Sequence, residues 1–315
     1  MEYKNLGRSG LQVSLVGLGC NNFGRRVDQQ GTTAVVEKAI ELGVTLFDTA
    51  DVYGPGGVSE EYLGVALKAR RHDVVVATKF GAPMGEGPYR SGASRRRMFN
   101  AVEASLRRLG TDYIDLYQIH FPDVRTPIEE TMRAFDDLVR SGRVRYIGCS
   151  NFAGWQAVEA QLLARAEHLT PFVSAQNQYN LLDRRIEREL VPACEKYGLG
   201  ILPYFPLASG FLTGKYEQNK PPPEGTRLAA MPGSERFLNE RNFETLSGLR
   251  SFAEAHGRSM LELAIGWLAS QPHVASVIAG ATKPEQVEQN VAAAAWKLSA
   301  EEMAEVDRIT RRRDG

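Results

Sequence analysis

The feature that most constrains this chain is a regular alternation. Short runs rich in β-branched and other apolar residues recur, and most are followed by a segment with helical spacing of apolar positions. The runs cover residues 15–19, 45–48, 74–79, 114–120, 145–148, 173–176, 201–204 and 275–278. Between them, residues 33–42, 59–67, 96–109, 128–140, 154–166 and 185–197 read as helices, several followed by Gly as a stop signal. Most runs are apolar throughout, as in parallel strands covered on both faces. Their spacing from the second run to the seventh is about 30 to 40 residues, one βα unit. Eight runs with helical crossovers predict an α/β fold, a (β/α)8 TIM barrel, rather than an open doubly wound sheet. A single domain over residues 1–315 follows.

Three additions are expected on this frame. Residues 1–13, with Gly10 as a turn signal, read as an N-terminal hairpin plugging the N-terminal mouth of the barrel. Residues 207–245 carry Pro221-Pro222-Pro223 and Gly225, and connections of that length are usually functional. Residues 299–311 read as a tail helix opened by a capping box of Ser299 and Glu302.

Charge excludes some partners. Lys plus Arg and Asp plus Glu number 38 each, so no net field draws in nucleic acid or an anionic membrane. Two basic clusters, Arg95-Arg96-Arg97 and Arg311-Arg312-Arg313, read as a solvated helix face and a chain end. Cys20, Cys149 and Cys194 match no disulfide frame or metal-site spacing, and Cys149 reads as a buried, inert thiol. The first residues lack the pattern of a secretion signal, and no apolar run nears the ~20 residues that span a bilayer. A cytoplasmic location is expected.

In a barrel of this kind the chemistry sits at the C-terminal ends of the strands. Asp48 closes the second run, Lys79 the third and His120 the fourth, with Tyr53 on the adjoining loop. Three consecutive strands thus bring a carboxylate, an ammonium and an imidazole to one rim. Asp48 and Lys79 are expected to pair, since an unpaired buried lysine is costly. The ammonium near Tyr53 is expected to lower that phenol from ~10 towards neutrality and make it a general acid. His120 is expected to donate to the same oxygen as negative charge develops. These roles are what hydride addition to a carbonyl requires.

These residues resemble the aldo-keto reductase family over nearly the whole chain, most closely its bacterial and potassium-channel β-subunit-like branches. Leu46-Phe47-Asp48-Thr49-Ala50-Asp51-Val52-Tyr53-Gly54 resembles the family signature around the catalytic Asp and Tyr. Ala77-Thr78-Lys79 and Gln118-Ile119-His120 resemble the lysine and histidine strands. The resemblance implies NADP(H), or alternatively NAD(H), as cofactor and a small carbonyl compound as substrate. It implies that Ser150, Asn151 and Gln176 hold the nicotinamide carboxamide, with Tyr204 stacked on the ring. Gly19, Cys20, Asn21 and Asp48 would flank it, with Phe205, Pro206, Leu207 and Ser209 following the ring-stacking strand. Lys215 and Arg227 would meet phosphate, and Gly280, Thr282, Gln286, Gln289 and Asn290 the adenosine end. Gly280 and Gln286 stand where some branches place Lys and Arg, so a preference for NADP rests on Lys215, Arg227 and Lys283.

Asn22, Phe23, Phe80, Tyr89 and Phe121 read as apolar and aromatic walls of a substrate pocket, alongside Tyr53 and His120. The Gly- and Pro-rich loop 81–93 is expected to set substrate choice. Other signals fail on spacing. Gly17, Gly19 and Gly24 do not make a Rossmann fingerprint, and Gly210, Gly214 and Lys215 do not make a Walker loop. His72, His168, His256 and His273 form no metal pair, so no metal is expected, and no nucleophile elbow occurs. Two other readings compete: a cofactor-sensing regulatory subunit with slow turnover, against which His120 counts, and a lyase or isomerase forming a Schiff base on Lys79, against which Asp48 counts.

Overall fold

The first two strands, β1 (Tyr3–Asn5) and β2 (Gln12–Ser14), form an antiparallel hairpin, as the turn signal predicts. Its buried side chains Leu6 and Val13 pack on Leu46, Val75, Ala77, Leu116 and Leu202, which fill the inside of the barrel. Because Leu46 and Val75 begin their strands, the hairpin closes the N-terminal mouth. Gly7 makes this closure possible. It sits at φ 59°, and a Cβ there would fall 2.4 Å from the Gly198 carbonyl oxygen and 2.5 Å from that of Val173.

The computed structural model describes residues 1–310. Eight parallel strands follow the hairpin: β3 (Val16–Gly19), β4 (Leu46–Asp48), β5 (Val75–Phe80), β6 (Ile114–Ile119), β7 (Val144–Ser150), β8 (Ser174–Gln178), β9 (Gly200–Tyr204) and β10 (Val277–Gly280). They pair in sequence order from β3 to β9, with β10 beside β3. A bridge from Ile201 to Val274, just before β10, nearly closes the ring. Helices α1 (Gln29–Glu41), α2 (Val58–Leu67), α3 (Arg95–Leu109), α4 (Ile128–Arg140), α5 (Gly154–Ala166) and α6 (Leu190–Tyr197) form the outer layer. The fold is the expected (β/α)8 barrel.

Local chemistry explains the boundaries. Asp28 caps α1 by accepting from the Gly31 N–H at 2.8 Å. The inward stripe of α4 comprises Met132, Phe135 and Leu138, all fully buried. Each such side chain contributes about 1.5–3 kcal/mol to the core.

The segment 185–197 is not one helix. A short 3-10 turn at Arg185–Arg188 precedes α6, because Pro192 lacks an N–H and fits only the first helical turn. The irregular stretch expected to run to residue 245 ends sooner, at α7 (Glu240–Ala255), which Asn239 caps through the Asn242 N–H at 3.0 Å. Next comes α8 (Met260–Ala269), whose residues are almost all buried, so little helical period marks it in the sequence. Two helices end the described chain, α9 (Pro284–Ala293) and α10 (Ala300–Thr310). Ser299 and Glu302 make the reciprocal cap expected before α10. The basic cluster Arg311-Arg312-Arg313 lies outside the described residues. No described helix is long and apolar enough to cross a membrane, and all three cysteines are buried and unpaired.

Candidate active site

The strand register brings the rim together. Gly19 lies beside Asp48, Lys79 beside Gln118, Ser150 beside Gln176 and Gly280 beside Gly19. Asp48, Lys79 and Gln176 point inward because side chains alternate along a strand.

Lys79 is the centre of the arrangement. Its side chain has no exposure, and its ammonium donates to Asp48 Oδ2 at 2.7 Å, the Thr49 carbonyl oxygen at 2.9 Å and Tyr53 Oη at 3.4 Å. Asp48 Oδ1 accepts from Gln176 Nε2 at 2.8 Å and from Gln118 Nε2 at 3.4 Å. Both charges are therefore hydrogen-bonded as well as paired, the condition under which a buried ion pair is tolerated. Burial pulls the lysine pKa down, but Asp48 and Tyr53 outweigh it and hold the ammonium above its usual value.

Tyr53 departs from the expectation of a lowered pKa. Burial raises the phenol most, Lys79 pulls it back, and Asp48 adds to the rise, leaving it above its ordinary value. Burial is the dominant cause, and the ammonium that opposes it is shared with Asp48. Tyr53 keeps its proton at neutral pH.

His120 meets the Tyr53 ring edge-on, with centroids 5.8 Å apart, and stacks on Phe121 at 4.7 Å. Burial and the Lys79 ammonium lower its imidazole to about 3, so it is neutral. Its Nδ1 is buried without a partner, which leaves Nε2 as the nitrogen open to the cleft.

A cleft of about 730 Å³ runs from Tyr53, His120 and Phe121 across the barrel mouth. Its lining includes Gly19, Cys20, Asn21, Asn22, Asp48, Ser150, Asn151 and Gln176, then Tyr204, Phe205, Pro206, Leu207 and Ser209. It continues past Lys215 and Arg227 to Gly280, Thr282, Lys283, Gln286, Gln289 and Asn290. Every residue expected at the cofactor thus faces one continuous cleft. Tyr204 is fixed by donating to Asn151 Oδ1 at 2.7 Å, while Asn151 Nδ2 donates to the His120 carbonyl oxygen at 2.9 Å.

The backbone is strained here. Asn151, Phe205, Ala208 and Ser209 have φ of 61°, 54°, 45° and 60°, a conformation costing about 1–3 kcal/mol for each non-glycine residue. All four lie on or beside the loops after β7 and β9. The lining suits a dinucleotide: Ser209 Oγ is buried without a partner, and Lys215 and Arg227 have no ion pair among the described residues.

Three expected pocket walls are elsewhere. Phe80 follows Lys79 on β5, so alternation turns it outward, where it stacks on Tyr117 and meets Phe135. Phe23 is fully buried in the core with Val27 and Leu63. Tyr89 is half exposed and lines a different cavity on the outer side of β5. Lys79 itself lies beneath Tyr53 rather than in the cleft wall.

Arg26, Leu261 and Ile278 also line the cleft, beyond the residues expected there. Arg26 was within reach of sequence reasoning, since it follows the first barrel strand. It bridges to the covering segment through the Gly225 carbonyl oxygen at 3.3 Å.

A barrel with this buried Asp–Lys–Tyr–His group at the mouth of a long cleft has the form of a carbonyl-reducing oxidoreductase. Residues 15–311 match the profile of the Aldo/keto reductase family, and the chain belongs to that family. It is 40% identical over 301 residues to a probable voltage-gated potassium channel subunit beta of Oryza sativa subsp. japonica, covering 93% of this chain and 91% of the relative. It is 35% identical over 320 residues to L-glyceraldehyde 3-phosphate reductase of Escherichia coli (strain K12), covering 98% and 92%. Versiconal hemiacetal acetate reductase of Aspergillus parasiticus is 36% identical over 329 residues, with 96% and 95% covered.

Proposed function

We propose that the protein reduces aldehydes or ketones to alcohols with NADPH, Tyr53 donating the proton. The observation that carries this reading is the buried Lys79 ammonium, bonded to both Asp48 and Tyr53 directly beside His120. A substrate carbonyl oxygen lies between Tyr53 Oη and His120 Nε2. Neutral His120 donates from Nε2, which suits the bare, partnerless Nδ1. As negative charge grows on the oxygen, this hydrogen bond strengthens. Tyr53, still protonated, then gives up its proton, and Lys79 stabilises the phenolate left behind. Asp48 keeps Lys79 charged and aimed.

NADPH, when bound, supplies the hydride. Ser150, Asn151 and Gln176 would hold its carboxamide, Tyr204 its ring, and Ser209, Lys215 and Arg227 its phosphates. Gly280, Thr282, Gln286, Gln289 and Asn290 would line the adenosine end. Lys215, Arg227 and Lys283 favour NADPH over NADH, and fluorescence titration with both cofactors tests the preference.

The deciding variant is Tyr53→Phe. Turnover is expected to vanish while NADPH still binds nearly as wild type. Full activity in that variant would sink the proposal. Given the named activity of the Escherichia coli relative, short phosphorylated aldehydes belong first in the substrate panel. The 40% identity to a named channel subunit supports a second reading, a cofactor-sensing subunit with slow turnover. Steady-state rates over the aldehyde panel separate the two.

A further inference from the structure

Three arginines, Arg95, Arg96 and Arg97, occupy the first turn of α3, which contains no acidic residue. The helix's partial positive charge disfavours cations at that end, so the placement runs against the local rule. Such violations concentrate at functional sites. Two of the three find carboxylates: Arg95 pairs with Asp137, and buried Arg97 donates to Asp51 Oδ2 at 2.7 Å. Arg96 has no ion pair among the described residues and lies 4.4 Å over the Tyr89 ring.

Arg96 and Arg97 face a second cavity, of about 330 Å³, between the loop after β5 and α3. It shares no lining residue with the long cleft. Arg90 and Arg108 also line it, making four guanidiniums. The only carboxylate in the lining is Asp51, whose Oδ2 accepts from Arg97 while its Oδ1 is buried without a partner. Arg108 is held from behind by Glu60, 2.7 Å away. Arg90, like Arg96, has no ion pair among the described residues. Two unneutralised guanidiniums therefore stand at the mouth, over two more whose carboxylates are spoken for. Guanidinium forks match the oxygens of phosphate or carboxylate groups.

We propose that this cavity is a second binding site, for the oxyanion group of a small metabolite, held by Arg90 and Arg96 over Arg97 and Arg108. The volume admits a small phosphate ester or polycarboxylate. Asp51, on the loop that carries Tyr53, links the site to the Lys79 strand, because its N–H donates to the Lys79 carbonyl oxygen at 3.0 Å.

The test is calorimetric titration of the full chain with inorganic phosphate and, separately, with malonate, comparing wild type, R90A/R96A and R90K/R96K. Lys215 and Arg227 are intact in all three, so phosphate taken up in the long cleft is common to them. One anion site beyond any in the long cleft is expected in the wild type, weakened at least fivefold in R90A/R96A and only partly restored in R90K/R96K, since an ammonium keeps the charge but not the fork. Arg90 and Arg96 are exposed, so the melting temperature should not change. Tighter phosphate binding would identify a phosphate ester as the ligand class, and tighter malonate binding a carboxylate. No binding of either probe, or less than a fivefold loss in R90A/R96A, would overturn the proposal.

Discussion

Replacing Lys79 by Met tests the account of the buried charge pair most directly. The side chain is fully buried, and its ammonium serves three acceptors. Removing it leaves Asp48 Oδ2 without its 2.7 Å partner, and Gln176 and Gln118 satisfy only Oδ1. The Thr49 carbonyl oxygen loses its 2.9 Å donor as well. An unsatisfied buried group costs about 1–3 kcal/mol and a stranded buried charge more, so K79M should lose roughly 3–5 kcal/mol. The double variant D48N/K79M has no stranded charge. It should recover about 2 kcal/mol of that loss, while both variants have no reductase activity. Urea unfolding at pH 7, run as a double-mutant cycle with D48N, measures the coupling. If D48N/K79M is no more stable than K79M, the stranded carboxylate is not the source of the cost and the reasoning fails.

Further predictions follow from the same geometry. His120 should stay neutral, since burial and Lys79 lower its pKa to about 3, so a ring titration followed by NMR should show no midpoint near 6.5. With the folded value below the unfolded one, stability is present above pH ~6.5 and falls by about 1.4 kcal/mol per unit as pH drops towards 3. In His120→Gln that contribution to the pH dependence should disappear from the denaturation curves. Gly7→Ala should destabilise the protein by more than about 2 kcal/mol, because it adds left-handed strain and an overlap with the Gly198 and Val173 carbonyl oxygens. A melting temperature equal to wild type would show that the hairpin does not plug the barrel as described.

The alternation of apolar runs and helical spacing determined the barrel, because both periods are local properties of the chain. Once the barrel was known, strand ends named Asp48, Lys79 and His120, and the strict two-residue period even contained the correction for Phe80. The same local logic misses α8, since a helix buried nearly all round shows little period. It could not find the strain at Phe205 and Ser209, or turn Phe23 into the core and Tyr89 away from the cleft, because neighbours distant in sequence decide those directions.

Partners far apart in the chain also set the energetics. Arg97 and Asp51 meet across 46 positions. Within the arginine cluster of α3, which reads as a solvated face, Arg95 and Arg96 are exposed while Arg97 is buried, and Arg96 and Arg97 line a cavity. Tyr53 carries the same lesson into the site. The sequence put an ammonium within reach of the phenol, but only the folded structure decided that burial and Asp48 outweigh it and leave the proton in place. Desolvation depends on everything packed around a group, and no local pattern in the chain records it.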